Sequence, residues 1–144
     1  MAGSTAIVRQ PGSDLSACEL SYQQREPVDA QRLASQHAAY VAALRSAGLN
    51  VIILPALADF PDGVYVEDVA IVLDEVAILT RPGALSRRGE VEPMAEVLEP
   101  LRTCLSMQEP STLDGGDVCL HDQTIALGPG GGRKGGRWGQ GVEL

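Results

Sequence analysis

The spacing of apolar residues changes along the chain between the period of a strand and the period of a helix, which predicts strands that alternate with helices. Helical spacing of apolar residues predicts two helices, at residues 28–47 and at about 87–98. Gly48 is the predicted stop of the first helix, and Ser86 is the predicted N-cap of the second. Short runs of β-branched and apolar residues predict strands at residues 6–9, 50–54, 69–73, 76–80, 103–107, 117–120 and 124–127. This order predicts an α/β fold with a repeating ββαβ theme.

An acidic cluster precedes the predicted hairpin of residues 69–80. Asp62, Glu67 and Asp68 fall within seven positions, and Glu67-Asp68 interrupts a nearly continuous apolar run. Because an unpaired buried carboxylate costs several kcal/mol, these acids need a cation or several hydrogen-bond donors. Neighbouring strand residues point to opposite faces, so Glu67 and Asp68 share a pocket only at a strand end or a bend. The pattern therefore predicts a cation-binding pocket at the mouth of the sheet.

Each of these acids has a structural alternative. Asp62 follows Pro61, where an aspartate is typical of a turn. Glu67-Asp68 is explained equally well by a structural ion pair with Arg87 or Arg88, in the predicted turn and helix beyond the hairpin. Residue types alone leave these alternatives open.

Length and charge restrict the class of protein. The 144 residues, 44% of them hydrophobic, suffice for one domain or part of one. No stretch has the pattern of a signal peptide or a membrane span, so we expect a cytoplasmic chain. The formal net charge of −8 argues against nucleic acid or an anionic membrane as a partner and suits a small cationic ligand.

The cysteines and histidines do not have the spacing of a metal site. Cys18, Cys104 and Cys119 are far apart and are predicted to be reduced, buried and structural. His37 falls on the first predicted helix and His121 in a predicted turn, and both are interpreted as structural. The sequence indicates neither a metal nor a cofactor.

Three motifs in a fixed order resemble the dimethylarginine dimethylaminohydrolases, which belong to the guanidino-group-modifying superfamily with arginine deiminases and amidinotransferases. The matching text is FPDGVYVEDVAIV, then AILTRPGALSRRGEV, then TLDGGDV. The resemblance implies that residues 1–128 are the N-terminal part of an α/β propeller, the pentein fold, with about half of its five modules. We expect the Gly/Arg-rich residues 129–144 to form a disordered tail.

The resemblance also implies a reaction and a set of site residues. In this family a cysteine thiolate attacks the guanidino carbon of an N-methylated arginine, dimethylamine leaves, and water releases citrulline, with a histidine as acid and base. Asp114 matches the carboxylate that orients this histidine. The positions that match substrate-binding residues are Leu20 in a flap, the carboxylates Asp62, Glu67 and Asp68, and Arg87. For Leu20, an anchor that pins its loop to the core is an equal alternative.

The chain departs from the family pattern after residue 128. The catalytic histidine and cysteine of the family match no residue here, so we expect a truncated product with little or no turnover by itself. The alternatives are a non-catalytic fragment or guanidinium-binding module and, within the superfamily, an arginine deiminase or amidinotransferase. A partial propeller would also expose strand edges, which predicts self-association.

Overall fold

A computed structural model describes residues 4–13, 15–20, 24–121 and 124–128 of the chain. Strands alternate with helices along it, so the predicted α/β class is confirmed. Contacts divide the chain into two units, residues 1–66 and residues 67–144, and each is described by itself. In the part of the chain that the structure describes, no helix is long and apolar enough to cross a bilayer. The predicted tail, residues 129–144, lies outside the described residues.

The first unit is a β-α-β motif. Strands β1 (Thr5–Arg9) and β2 (Asn50–Leu54) are parallel, and helix α1 (Ala30–Ser46) connects them. A crossover of this kind is required because parallel strands cannot be joined by a tight turn. All three elements agree with the predicted ranges to within two residues. The hydrophobic core between the helix and the strands is small, and its buried residues are Val8, Val41 and Leu54.

Local chemistry fixes both ends of α1. The Asp29 carboxylate accepts hydrogen bonds from the backbone N–H groups of Gln31 and Arg32, which satisfies donors that a helix start leaves open. At the other end Gly48 adopts a φ of 84°, a left-handed conformation that favours glycine. The predicted stop at Gly48 is therefore confirmed.

The second unit begins with a three-stranded sheet. Strands β3 (Ala70–Val72) and β4 (Val76–Leu79) are antiparallel around a tight turn at Asp74-Glu75. Helix α2 (Val91–Leu98) then crosses over to β5 (Thr103–Ser106), which pairs with β4 in parallel. The core of this unit contains Val69, Ile71, Ala77, Leu79, Met94 and Leu98.

The start of the second helix differs from its prediction. Residues Leu85–Glu90 form a 3-10 helix that begins after Ala84, so Ser86 is not an N-cap, and α2 begins only at Val91. The physical reason is Pro93: in an α-helix its ring would clash with the carbonyl of Gly89, four residues earlier, and it has no N–H to donate. An α-helix can therefore hold Pro93 only in its first turn.

A hairpin completes the described chain. Strands β6 (Val118–His121) and β7 (Thr124–Leu127) are antiparallel, and a 3-10 turn, Gly115–Asp117, precedes them. His121 ends β6 opposite Thr124 and is not a turn residue as predicted, because the hairpin pairing extends one residue further. Cys119 is exposed, which contradicts its predicted burial.

Candidate functional site

Asp68 is held in one orientation by three neighbouring segments of the second unit. It ends the 3-10 turn Val66–Asp68, just before β3, so it lies at the bend that the sequence predicted. Its Oδ2 is 2.5 Å from Nη1 of Arg87, and its Oδ1 accepts the N–H of Gly116 at 3.1 Å. Its carbonyl accepts a hydrogen bond from Oγ1 of Thr80 at 2.6 Å. Both carboxylate oxygens are thus fixed, while the side chain keeps 20% exposure.

Glu90 holds the same arginine from the other side. The Nε and Nη2 atoms of Arg87 donate to Oε1 and Oε2 of Glu90 at 3.0 and 2.8 Å, a bidentate fork. The side chains of Arg87 and Glu90 are 9% and 3% exposed. Burial alone would lower the pKa of Arg87, but the hydrogen bonds that it donates to Glu90 and Asp68 outweigh this effect and raise that pKa above its usual range. Arg87 therefore remains charged.

These contacts decide one of the alternatives left open by the sequence. Asp68 forms the structural ion pair, and its partner is Arg87. Arg88 instead donates through Nε to the carbonyl of Pro82 at 3.1 Å. Glu67 is exposed, and the ion pairs of Arg87 among the described residues are with Asp68 and Glu90, so only one of the two adjacent acids takes part.

Asp114 joins this cluster electrostatically. It lies immediately before the 3-10 turn Gly115–Asp117. Burial raises the pKa of its carboxyl above the usual range, and the nearby charge of Asp68 raises it further. A hydrogen bond from the Gly83 backbone and the charge of Arg87 oppose this shift in part. The structure thus brings together three of the predicted site residues, Asp68, Arg87 and Asp114.

Gly115 and Gly116 make this arrangement sterically possible. A Cβ atom on Gly115 would collide with the carbonyl oxygen of Glu67, and one on Gly116 would collide with Oδ1 of Asp68. The two glycines therefore let one backbone segment lie directly against the other.

Of the other three predicted residues, Glu67 is exposed beside Asp68 in the second unit, and Asp62 and Leu20 lie in the first unit. Asp62 is buried, and its Oδ2 accepts the N–H of Glu19 at 2.8 Å, so it holds the loop that carries Leu20. Its carbonyl also accepts the N–H of Tyr65, which is the turn bond of the alternative interpretation. Leu20 is 42% exposed, so it is not an anchor buried in the core of its unit.

Glu90 is the residue that the sequence interpretation missed. Its spacing of three from Arg87 is a recognised pairing distance on a helical segment, and this was the available signal. Its near-complete burial depends on tertiary packing, which residue spacing does not show. Among the described residues, no group of three or more His, Cys, Asp or Glu side chains is arranged to hold a metal ion.

Comparisons with known proteins identify relatives of the chain. It is 39% identical over 132 residues to a dimethylarginine dimethylaminohydrolase of Streptomyces coelicolor, covering 91% of this chain and 51% of that protein. It is 34% identical over 124 residues to the enzyme of the same name from Pseudomonas aeruginosa, covering 85% and 48%. The chain thus spans about half the length of the curated relatives that it matches. No family model matches the sequence.

A solved structure supports the same relationship. A mutant of the Pseudomonas aeruginosa enzyme in complex with citrulline superposes with a TM-score of 0.84 at 31% identity, over 91% of this chain and 52% of that one. The predicted pentein-type α/β fold is thereby confirmed.

Proposed function

The chain belongs to the dimethylarginine dimethylaminohydrolase family and matches about half the length of its relatives, and we propose that it supplies the guanidinium-binding part of a dimethylargininase. Relatives of this name are hydrolases that act on guanidino C–N bonds. The proposed substrate is asymmetric dimethylarginine, and the products are citrulline and dimethylamine. The observation that supports this proposal is the oriented carboxylate of Asp68.

Asp68 suits a planar cation for a geometric reason. A carboxylate has about four acceptor positions, and the bonds from Arg87 and Gly116 occupy one on each oxygen. The remaining positions can accept the paired N–H groups of a guanidinium. Because the acceptor is already oriented, little entropy is lost on binding, and the guanidino carbon is held in place for attack.

The chemical steps are proposed from the family resemblance. A cysteine thiolate adds to the guanidino carbon, and its C–N bond to dimethylamine breaks as a histidine delivers a proton to the leaving nitrogen. Water, deprotonated by the same histidine, then adds to that carbon; the C–S bond breaks, and citrulline and the thiol are released. The resemblance assigns neither the cysteine nor the histidine to a residue of this chain.

Asp114 is proposed to orient that histidine. An ionised carboxylate fixes the tautomer and direction of an imidazole by accepting one of its N–H bonds. Because the pKa of Asp114 is raised, the proportion of ionised carboxylate falls at a higher pH than for an ordinary aspartate. The orientation of that histidine should therefore weaken on acidification through that pKa.

Calorimetry with asymmetric dimethylarginine, beside an assay for citrulline release, tests the proposal. Asp68→Asn should weaken binding by about tenfold to hundredfold, since a charge-assisted hydrogen bond contributes roughly 1.5–3 kcal/mol. The matched control is Asp74→Asn, which removes the same charge from an exposed position in the turn between β3 and β4 and should leave binding unchanged.

Each outcome has a defined meaning. Binding that is lost in Asp68→Asn but kept in Asp74→Asn supports the proposed pocket, and binding without turnover identifies a guanidinium-binding module. Equal weakening in both variants would indicate a general charge effect. Absence of binding by the unmodified chain would refute the pocket.

A further inference from the structure

Glu90 is a buried carboxylate that pairs with the arginine holding Asp68. Its two oxygens are each hydrogen-bonded to Arg87, and its side chain is only 3% exposed. Such a charge is costly to bury unless its partner is equally well placed. The fork therefore fixes the plane of the Arg87 guanidinium and leaves Nη1 directed at Asp68.

The charges around Arg87 do not balance. The carboxyl groups that interact with this one guanidinium are Glu90 and Asp68 by hydrogen bonds and Asp114 by charge, and Asp117 in turn acts on Asp114. Glu90 accepts from Nε and Nη2 of Arg87, and Asp68 accepts from Nη1. Among these groups Glu90 is thus the principal counter-ion of the arginine, and the carboxyl groups outnumber the one guanidinium.

We propose that Glu90 is a positioning residue that neutralises and orients Arg87, so that Arg87 fixes the direction of the Asp68 carboxylate without cancelling its charge toward a cationic ligand. For the ligand, this inference rests on the proposed guanidinium pocket. The orientation and charge balance within the cluster do not depend on any ligand and can be measured alone.

Carbon-detected NMR titration of the Asp114 carboxyl tests the charge balance. The groups that act on the Asp114 carboxyl are Asp68 before β3, the N–H of Gly83, Arg87 in the 3-10 helix, and Asp117. If Glu90 neutralises Arg87, then in Glu90→Gln the released charge of Arg87 lowers the pKa of Asp114. If Glu90 serves packing alone, Arg87 becomes loose, and that pKa rises or does not change. A fall supports the inference, and either other result overturns it.

Two further variants control this titration. Glu90→Asp keeps the charge on a shorter side chain and should change the pKa of Asp114 less than Glu90→Gln does. Glu96→Gln removes a charge from an exposed position of α2 and should leave that pKa unchanged. If Glu90→Gln fails to fold, Glu90→Asp carries the test: because the shorter side chain weakens the fork, a small fall in the pKa of Asp114 supports the inference, and a rise or no change overturns it.

A pair of ligands tests the consequence for binding. Asymmetric dimethylarginine carries a cationic guanidinium, whereas citrulline has a neutral ureido group of similar shape. Glu90→Gln should weaken binding of the cation by about tenfold, on the order of one charge-assisted contact, and leave citrulline nearly unaffected. Equal weakening of both ligands would assign Glu90 a merely structural role. If the unmodified chain binds neither, the proposed function fails, while the titration still decides the role of Glu90.

Discussion

The two units share one motif and use it differently. Each contains two parallel strands joined by a helix, but the 17-residue helix α1 buries only Val41, whereas the eight-residue helix α2 buries Met94 and Leu98. The second unit also has a third strand, β3, and a buried ion pair beside it. Local helical pattern and depth of burial are therefore independent, and the buried ion pair of Arg87 and Glu90 lies in the unit whose helix buries more residues.

The largest expected difference between the units comes from removing an arginine. Arg87→Ala leaves Glu90 buried without its main partner and should lower the free energy of unfolding by about 3–5 kcal/mol. The matched change in the first unit, Arg32→Ala on the exposed surface of α1, should stay within about 0.5 kcal/mol. Urea denaturation measures both. Similar losses in the two variants would contradict the contrast between the units.

A glycine in each unit gives an intermediate effect. Gly115→Ala places a methyl group against the backbone carbonyl of Glu67, which cannot rotate away, and should cost about 1–3 kcal/mol or more. Gly48→Ala meets no atom within 4 Å, so its cost is only the left-handed conformation, about 1–2 kcal/mol.

The two glycine variants also differ in where the damage occurs. Amide exchange should accelerate around Glu67 in the Gly115 variant and at the end of α1 in the Gly48 variant. The same exchange pattern in both variants would mean that the two positions are not under different constraints.

The smallest effect concerns pH. Because the folded chain holds the pKa of Asp114 above its unfolded value, it binds more protons than the unfolded chain, and this residue's stabilising contribution is lost as pH rises through the folded pKa. Asp114→Asn should remove this residue's part of the fall in the free energy of unfolding, which begins near the ordinary aspartate pKa of about 3.9. Denaturation at a series of pH values measures it, and Asp59→Asn, at an exposed position of the first unit, is the matched control. An unchanged slope in Asp114→Asn would rule out the predicted linkage.

The sequence predicted the elements better than the contacts. Alternation and helical spacing located α1 and β2 because these patterns are local properties of the chain. The acid at position 68 was identified because a charge inside an apolar run is also visible locally. The sequence did not show that Asp68 pairs with Arg87 and not with Arg88, since this depends on the direction in which a 3-10 helix points two adjacent side chains. The burial of Glu90 was missed for the same reason.

Pro93 determines more than the first turn of a helix. A 3-10 helix has three residues per turn, so side chains three positions apart lie directly above one another, whereas in an α-helix they are rotated by about 60°. By confining the α-helix to residues after Glu90, Pro93 keeps Arg87 and Glu90 in this eclipsed arrangement. A residue outside the ion pair thereby sets its alignment, and the geometry of the pair is encoded in the backbone three residues beyond Glu90.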